Sequence, residues 1–321
     1  MRMGAYAAAL LLCLVACVAH AEDAGRPFRI GILNETWSAE HPTVEGLKAG
    51  LRDLGLEEGR DVTFEVRFTE GRREALPGAA AALVAAGVDL IVASQQAAAL
   101  AASGATRSVP IVFTSVGDAV AAGLVANRAT PGGNVTGISS LQSELAAKRL
   151  QVLHSLAPAV RRVLVLHDRD DPATALMARN AVAAASALNL EVAVRGVGDA
   201  GELKRVFTEL GPGDALFAAD DSRLRISVAT LEQSLALRVP AIFATALWVG
   251  HGGLVSYGPD AYAEGVQAAS LVARIRAGAK PGDLPIEGAE RIDLAVNLKT
   301  AEVLGLTVPR RILLRADAFR R

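Results

Sequence analysis

RIGILNETWSAEHPTVEGLKAGLRDLGLEEGRDVTFEVRF, residues 29–68, contains the pattern from which the fold follows. RIGILNE (Arg29 to Glu35) is an apolar run of strand length. From Thr43 to Gly55 the apolar residues return at helical spacing, with Val44, Leu47, Leu51 and Leu54 on one face and Gly55 as the stop. VTFEVRF (Val62 to Phe68) reads as a second strand. Strand, amphipathic helix, strand is the βαβ unit of a parallel sheet.

The unit recurs outward from there. An Ala-rich helix ends at Gly87, and LIVAS (Leu90 to Ser94), a helix from Gln96, PIVFTSV (Pro110 to Val116) and NVTGI (Asn134 to Ile138) follow. A helix from Glu144 to Leu156 then opens a second series of strands: RVLVLHD (Arg162 to Asp168), EVAVRGV (Glu191 to Val197), DALFAAD (Asp214 to Asp220), PAIFAT (Pro240 to Thr245) and GLVSYG (Gly253 to Gly258). The halves repeat in order, and each has a Val-Pro before an Ile-containing strand, at Val109-Pro110 and Val239-Pro240. The expected fold class is α/β: two doubly wound parallel-sheet lobes with a hinge. The helix from Asp260 to Gly278, carrying Tyr262, Val266, Val272 and Ile275, is expected to cross back to the first lobe. The expected division is lobe 1 at 28–138 plus 259–285 and lobe 2 at 139–258 plus 286–321, with crossings near Gly137 to Ser140, Gly258 to Pro259 and Leu284 to Gly288.

Composition narrows the function. Lys plus Arg number 33 against 34 for Asp plus Glu, so no global basic field exists to attract nucleic acid. The opening MRMGAYAAALLLCLVACVAHA has a short head with Arg2 and an apolar run, the layout of an export signal. Two readings of its end stand side by side. Ala19-His20-Ala21 suits cleavage after residue 21, and Leu14-Val15-Ala16-Cys17 has the form of a lipoprotein signal to residue 16 with lipidation at Cys17. Cys13 and Cys17 are the only cysteines, so no disulfide is expected in the fold. Ala75 to Ser94 is apolar, but Pro77, Gly78, Gly87 and Asp89 divide it into helix and strand.

Six stretches carry a family resemblance: GDAVAAGLV (Gly117 to Val125), PGGNVTGIS (Pro131 to Ser139), KRLQVLHSLAP (Lys148 to Pro158), GGLVSYGPD (Gly252 to Asp260), AGAKPGDLPIE (Ala277 to Glu287) and NLKTAEVLGLTVPRRILLRAD (Asn297 to Asp317). With these, the chain resembles ABC-transporter substrate-binding proteins of the tryptophan-binding TrpX type, which have the periplasmic-binding protein type I fold. Ala119 departs from a family pattern that reads Pro after Gly-Asp, and Ser94-Gln95-Gln96 replaces a loop of small residues. The resemblance implies a periplasmic or outer-face protein that captures an amino acid or similar small solute between its lobes. Its partner would be the membrane permease of an ABC importer. A ligand-sensing module for a membrane signalling protein is the alternative from another class. No cofactor, metal, nucleic-acid partner or catalytic activity is expected, and the chain should act as a monomer.

Candidate ligand residues follow from the rule that open α/β sheets bind beyond the carboxyl ends of their strands. Ser94, Gln95 and Gln96 stand where a strand turns into a helix, so free N–H groups, a hydroxyl and amides can grip a carboxylate; the plainer reading is that Ser94 caps the helix. Thr114, Ser115 and Asp118 follow the next strand, with Asp118 a partner for an ammonium or a cap. Asn34, Thr36 and Trp37 end the first strand; Thr245, Trp248 and Tyr257 end strands of the second half. The two tryptophans, one per lobe, suggest an aromatic clamp and place aromatic amino acids first among ligands; each Trp covering its own sheet is the competing reading. Asp168 and Asp220 close strands of the second half and serve either a ligand or a helix start.

Gly196-Val197-Gly198-Asp199-Ala200-Gly201 matches the dinucleotide fingerprint, but it follows the second strand of its unit rather than the first, so a turn and helix start is expected instead. The acids around His167 (Asp168, Asp170, Asp171) read as a loop and helix cap rather than a metal site.

Overall fold

The computed structural model describes residues 25–35, 41–219 and 226–320. Strand β1 (Phe28–Asn34), helix α1 (Pro42–Asp53), β2 (Val62–Phe68), α2 (Leu76–Ala85), β3 (Leu90–Ser94), α3 (Gln96–Ala105), β4 (Ile111–Val116) and β5 (Val135–Ser139) form the first series. The second comprises α4 (Ala146–Leu156), β6 (Arg162–Asp168), α5 (Pro172–Ala185), β7 (Glu191–Val197), α6 (Ala200–Val206), β8 (Asp214–Ala218), α7 (Ile226–Leu237), β9 (Ala241–Phe243), α8 (Ala246–Gly250) and β10 (Val255–Pro259). The chain closes with α9 (Ala261–Arg276), β11 (Glu287–Gly288), β12 (Ile292–Asn297), α10 (Leu298–Val303), α11 (Arg310–Leu313) and β13 (Ala318–Arg320).

Two sheets result, ordered β11-β5-β4-β3-β1-β2 and β13-β12-β10-β9-β8-β6-β7. The first is parallel throughout. The second is parallel from β6 to β10, with β12 antiparallel to β10 and β13 parallel to β12. This is the expected pair of doubly wound lobes. Each sheet carries a core on both faces, which is why its strands are apolar in unbroken runs. Alternate residues sort to opposite sides. Ile91 and Phe113 join the core under α2 and α3, while Leu90, Val92 and Val112 join the one under α1 and α9. Val165 and Phe217 face α4 and α5, while Leu164, Leu166 and Leu216 face α6 and α7.

Helix α9 leaves β10 of the second sheet and packs on α1 of the first. Small residues permit the contact: a Cβ at Gly46 would fall on the backbone carbonyl of Tyr262, and one at Gly265 on that of Thr43. The helix axes approach too closely for side chains between them. This corrects two readings of amphipathicity. Leu54 closes α1 and is 52% exposed, because the helix ends before that position turns inward. Tyr262 and Val266 are also exposed, and α9 buries Gly265, Ala268, Ala269, Leu271, Val272 and Ile275.

The chain passes between the sheets three times: after β5, after β10 and between β11 and β12. Arg149 of α4 is fully buried where the first two passages meet. Its Nε donates to the carbonyl of Tyr257 at 2.7 Å and its Nη1 to Oε1 of Gln142 at 2.6 Å. Gly258 lies against the Ala244 carbonyl, where no Cβ would fit.

Candidate functional site

Helix starts from the two lobes meet at the gap. Gln96, in the first turn of α3, donates from Nε2 to Oδ1 of Asp171, the N-cap of α5, at 3.2 Å. Since α3 follows β3 and α5 follows β6, this contact sets the carboxyl-end rims of the two sheets face to face, where doubly wound sheets bind ligands.

The start of α3 is built to leave donors available. Gln95 is its N-cap, at φ 76° and ψ 156°, a conformation nearly restricted to glycine. Its N–H donates to the Thr114 carbonyl at 2.9 Å, and it makes no side-chain capping bond. The first-turn N–H groups of α3 therefore lack a side-chain acceptor, at the positive end of the helix dipole. The side-chain Oε1 of Gln95 is buried without a hydrogen-bond partner. Ser94 is not the cap; its buried hydroxyl accepts from Thr114 Oγ1 at 3.0 Å. On the neighbouring strand Ser115 also has a positive φ, 56°, and donates its hydroxyl to Oε2 of Glu264 at 2.5 Å. Glu264, in the first turn of α9, is buried. Two adjacent strands of the first sheet thus end in strained non-glycine residues at the same rim.

Two of the other candidates are acids that accept from N–H groups of their own loops through one oxygen. Asp118 Oδ1 accepts from the N–H groups of Val120 and Ala121 at 2.9 and 3.0 Å, so it holds a turn. Asp168 Oδ1 accepts from the Asp170 N–H at 2.8 Å, and the cap of α5 is Asp171, which accepts from Ala173 at 2.9 Å. Trp248 is half-buried over its own sheet, against Phe243 at 6.2 Å between ring centroids and His251 at 6.4 Å. Tyr257 packs on the core of the second lobe. Thr245 precedes α8 without capping it by a side-chain bond. Asn34 is buried at the end of β1. Thr36, Trp37 and Asp220 lie outside the described residues, so of the two tryptophans expected to form a clamp only Trp248 has a described position.

The glycine motif at 196–201 is a helix start. Asp199 accepts from the Glu202 N–H and Glu202 Oε2 from the Gly198 N–H, each at 2.8 Å, a reciprocal cap on an edge strand of its sheet. Among the described residues no group of three or more His, Cys, Asp or Glu side chains is placed to hold a metal, and no helix is long and apolar enough to cross a membrane.

Two residues went unnoticed in the sequence. Arg149 and Glu264 are charges on the buried faces of amphipathic helices, a signal that was available. Asp171 is the helix cap that its place in the sequence suggests, but its bond from Gln96, 75 positions away, is not legible there. Nearby, burial pushes His41 below the ordinary histidine value, as suits a ring whose Nδ1 accepts from the Thr43 N–H at the start of α1. On β12 at the third passage, burial pushes Asp293 up, with Arg291 opposing and Asp260 and Asp317 adding to the rise.

Two α/β lobes joined by three passages, with opposed helix starts at the rims between them, define a two-lobed ligand-capture protein. The sequence profile of the ABC transporter substrate binding protein family matches residues 37–320, and the chain belongs to that family. It is 26% identical over 273 residues to a tyrosine-binding protein of Clostridioides difficile, covering 83% of this chain and 79% of the relative. Among solved structures, a conserved domain protein from Vibrio cholerae aligns with a TM-score of 0.81 at 26% identity over 92% of this chain and 100% of the other. A domain from Streptococcus pneumoniae, solved in complex with L-Trp, aligns with a TM-score of 0.81 at 25% identity, again over 92% and 100%. The fold is that of the type I periplasmic-binding proteins.

Proposed function

We propose that this chain is the solute-capturing component of an ABC importer and takes an amino acid, aromatic ones first, between its lobes. The observation that carries the reading is the start of α3. A ligand carboxylate there would receive first-turn N–H groups and complement the helix dipole, and the strain at Gln95 is of the kind that persists at ligand clamps. The relatives that bind tyrosine and L-Trp support the ligand class. Closure is driven by contacts from both lobes, the Gln96–Asp171 pair being one, and the three passages serve as the hinge.

In this reading the leader exports the chain, either as a soluble protein or anchored at Cys17, and the closed form docks as a monomer on a membrane permease. It performs no chemistry on its ligand. The test is a panel of amino acids, nucleosides and sugars added to the purified protein, with melting temperature and Trp fluorescence followed. Stabilisation by aromatic amino acids, with the ligand recovered unchanged, is the expected result. Conversion of a ligand to product, or no stabilisation by any amino acid, overturns the reading.

A further inference from the structure

The end of the chain, TVPRRILLRADAFRR (Thr307 to Arg321), carries five arginines and one acid. Helix α11 is attached to the second lobe by Ile312, its only buried side chain. Around that anchor Arg310, Arg311 and Arg315 are exposed, with Leu313 at 38% and Leu314 at 76% exposure; Phe319 on β13 is 41% exposed. Among the described residues these three arginines make no ion pair, whereas Arg60, Arg162, Arg195 and Arg291 elsewhere sit on carboxylates. Asp317, the acid of the segment, accepts from the Leu294 N–H at 2.8 Å.

We infer that this C-terminal face binds an anionic lipid surface. Exposed leucines and a phenylalanine in one segment with arginines that make no ion pair among the described residues match the headgroup region of a charged bilayer, where apolar side chains enter and arginines meet phosphates. A second copy of the chain is a poor occupant, because pairing the patch with itself would bring six arginines together. Phe319 of the patch lies at the end of the sheet opposite the ligand rim, paired with Val296, which pairs with Val255 at the start of β10. β12 runs antiparallel to β10, and β13 parallel to β12, so β13 leads away from the gap. Lipid binding should therefore not depend on ligand.

The test uses the chain from Ala21 onward, which carries the strands of both sheets and has no cysteine to lipidate. It is sedimented with vesicles of phosphatidylcholine alone and of phosphatidylcholine with one quarter phosphatidylglycerol. Partition into the anionic vesicles, weakened by salt, is expected, with little into the neutral ones. The combined variant Arg310→Gln, Arg311→Gln, Arg315→Gln should lose roughly 10- to 100-fold in partition, and Leu314→Ser should weaken it separately, both with unchanged melting temperature. Absence of binding to anionic vesicles, or equal binding by the triple variant, overturns the inference. So does a triple variant that binds vesicles normally but loses retention on membranes containing the permease, which would assign the patch to a protein.

Discussion

Replacing Gln95 with glycine should make the protein more stable and a poorer binder. At φ 76° and ψ 156° the residue occupies a region that costs about 1–3 kcal/mol for a non-glycine side chain. Glycine removes that strain but adds about 0.5–1 kcal/mol of unfolded-chain entropy. The N–H bond to the Thr114 carbonyl is a backbone bond and survives the change. The net gain is about 0–2.5 kcal/mol, a rise of up to a few degrees in melting temperature for a chain this size. The variant also loses the buried Oε1 that has no partner inside the protein, so affinity for the best ligand of the panel should fall about tenfold, the worth of one well-placed hydrogen bond. Calorimetric melting without ligand and isothermal titration with it measure the two quantities separately. A variant that melts lower would refute the strain assignment, and one that melts higher but binds equally well would remove Gln95 from the ligand site.

Substituting Ala at Gly46 or Gly265 should destabilise by about 1–3 kcal/mol or more in denaturant titration, because each new methyl meets backbone rather than a movable side chain. Arg149→Met should cost about 2–4 kcal/mol by leaving the Tyr257 carbonyl and Gln142 unsatisfied in a buried setting, and Lys should rescue it only in part, since an ammonium cannot span both partners as the planar fork does. Asp214 is held below the usual carboxylate range first by its hydrogen bonds from Arg162, against burial. Its contribution is complete above the unfolded value of about 3.9 and is lost as pH falls through the lower folded value, so Asp214→Asn should flatten the acid limb of a stability–pH curve below about pH 4. His41 is likewise depressed, by burial; its contribution is complete above about pH 6.5 and disappears on acidification through the folded value, and His41→Asn, which keeps a capping acceptor, should abolish that step in melts followed downward from about pH 6.5.

The alternation of strands and helices was legible because βαβ units write their periodicity locally: each apolar run and each spacing of three and four residues lies within a few turns of itself. That alone yields two doubly wound halves, and the end positions of strands such as Ser94 and Thr114 as site candidates. What each of those positions bonds to was decided by loop geometry and by partners distant in the chain. Asp118 and Asp168 each accept from neighbouring N–H groups through Oδ1, a matter of loop geometry that residue type does not reveal. Gln96 meets Asp171, and Ser115 meets Glu264 across 149 positions, only because the lobes and α9 assemble as they do. On α9 Val272 and Ile275 are buried as expected, while Tyr262 and Val266 are not, for a related reason. Hydrophobicity names the side that prefers to be dry, but at α1 the backbone carbonyls come so close that glycine and alanine fill the contact and Tyr262 is left at its margin. Composition and period set the class of the fold; steric fit between segments far apart in sequence chose which atoms remain for a ligand.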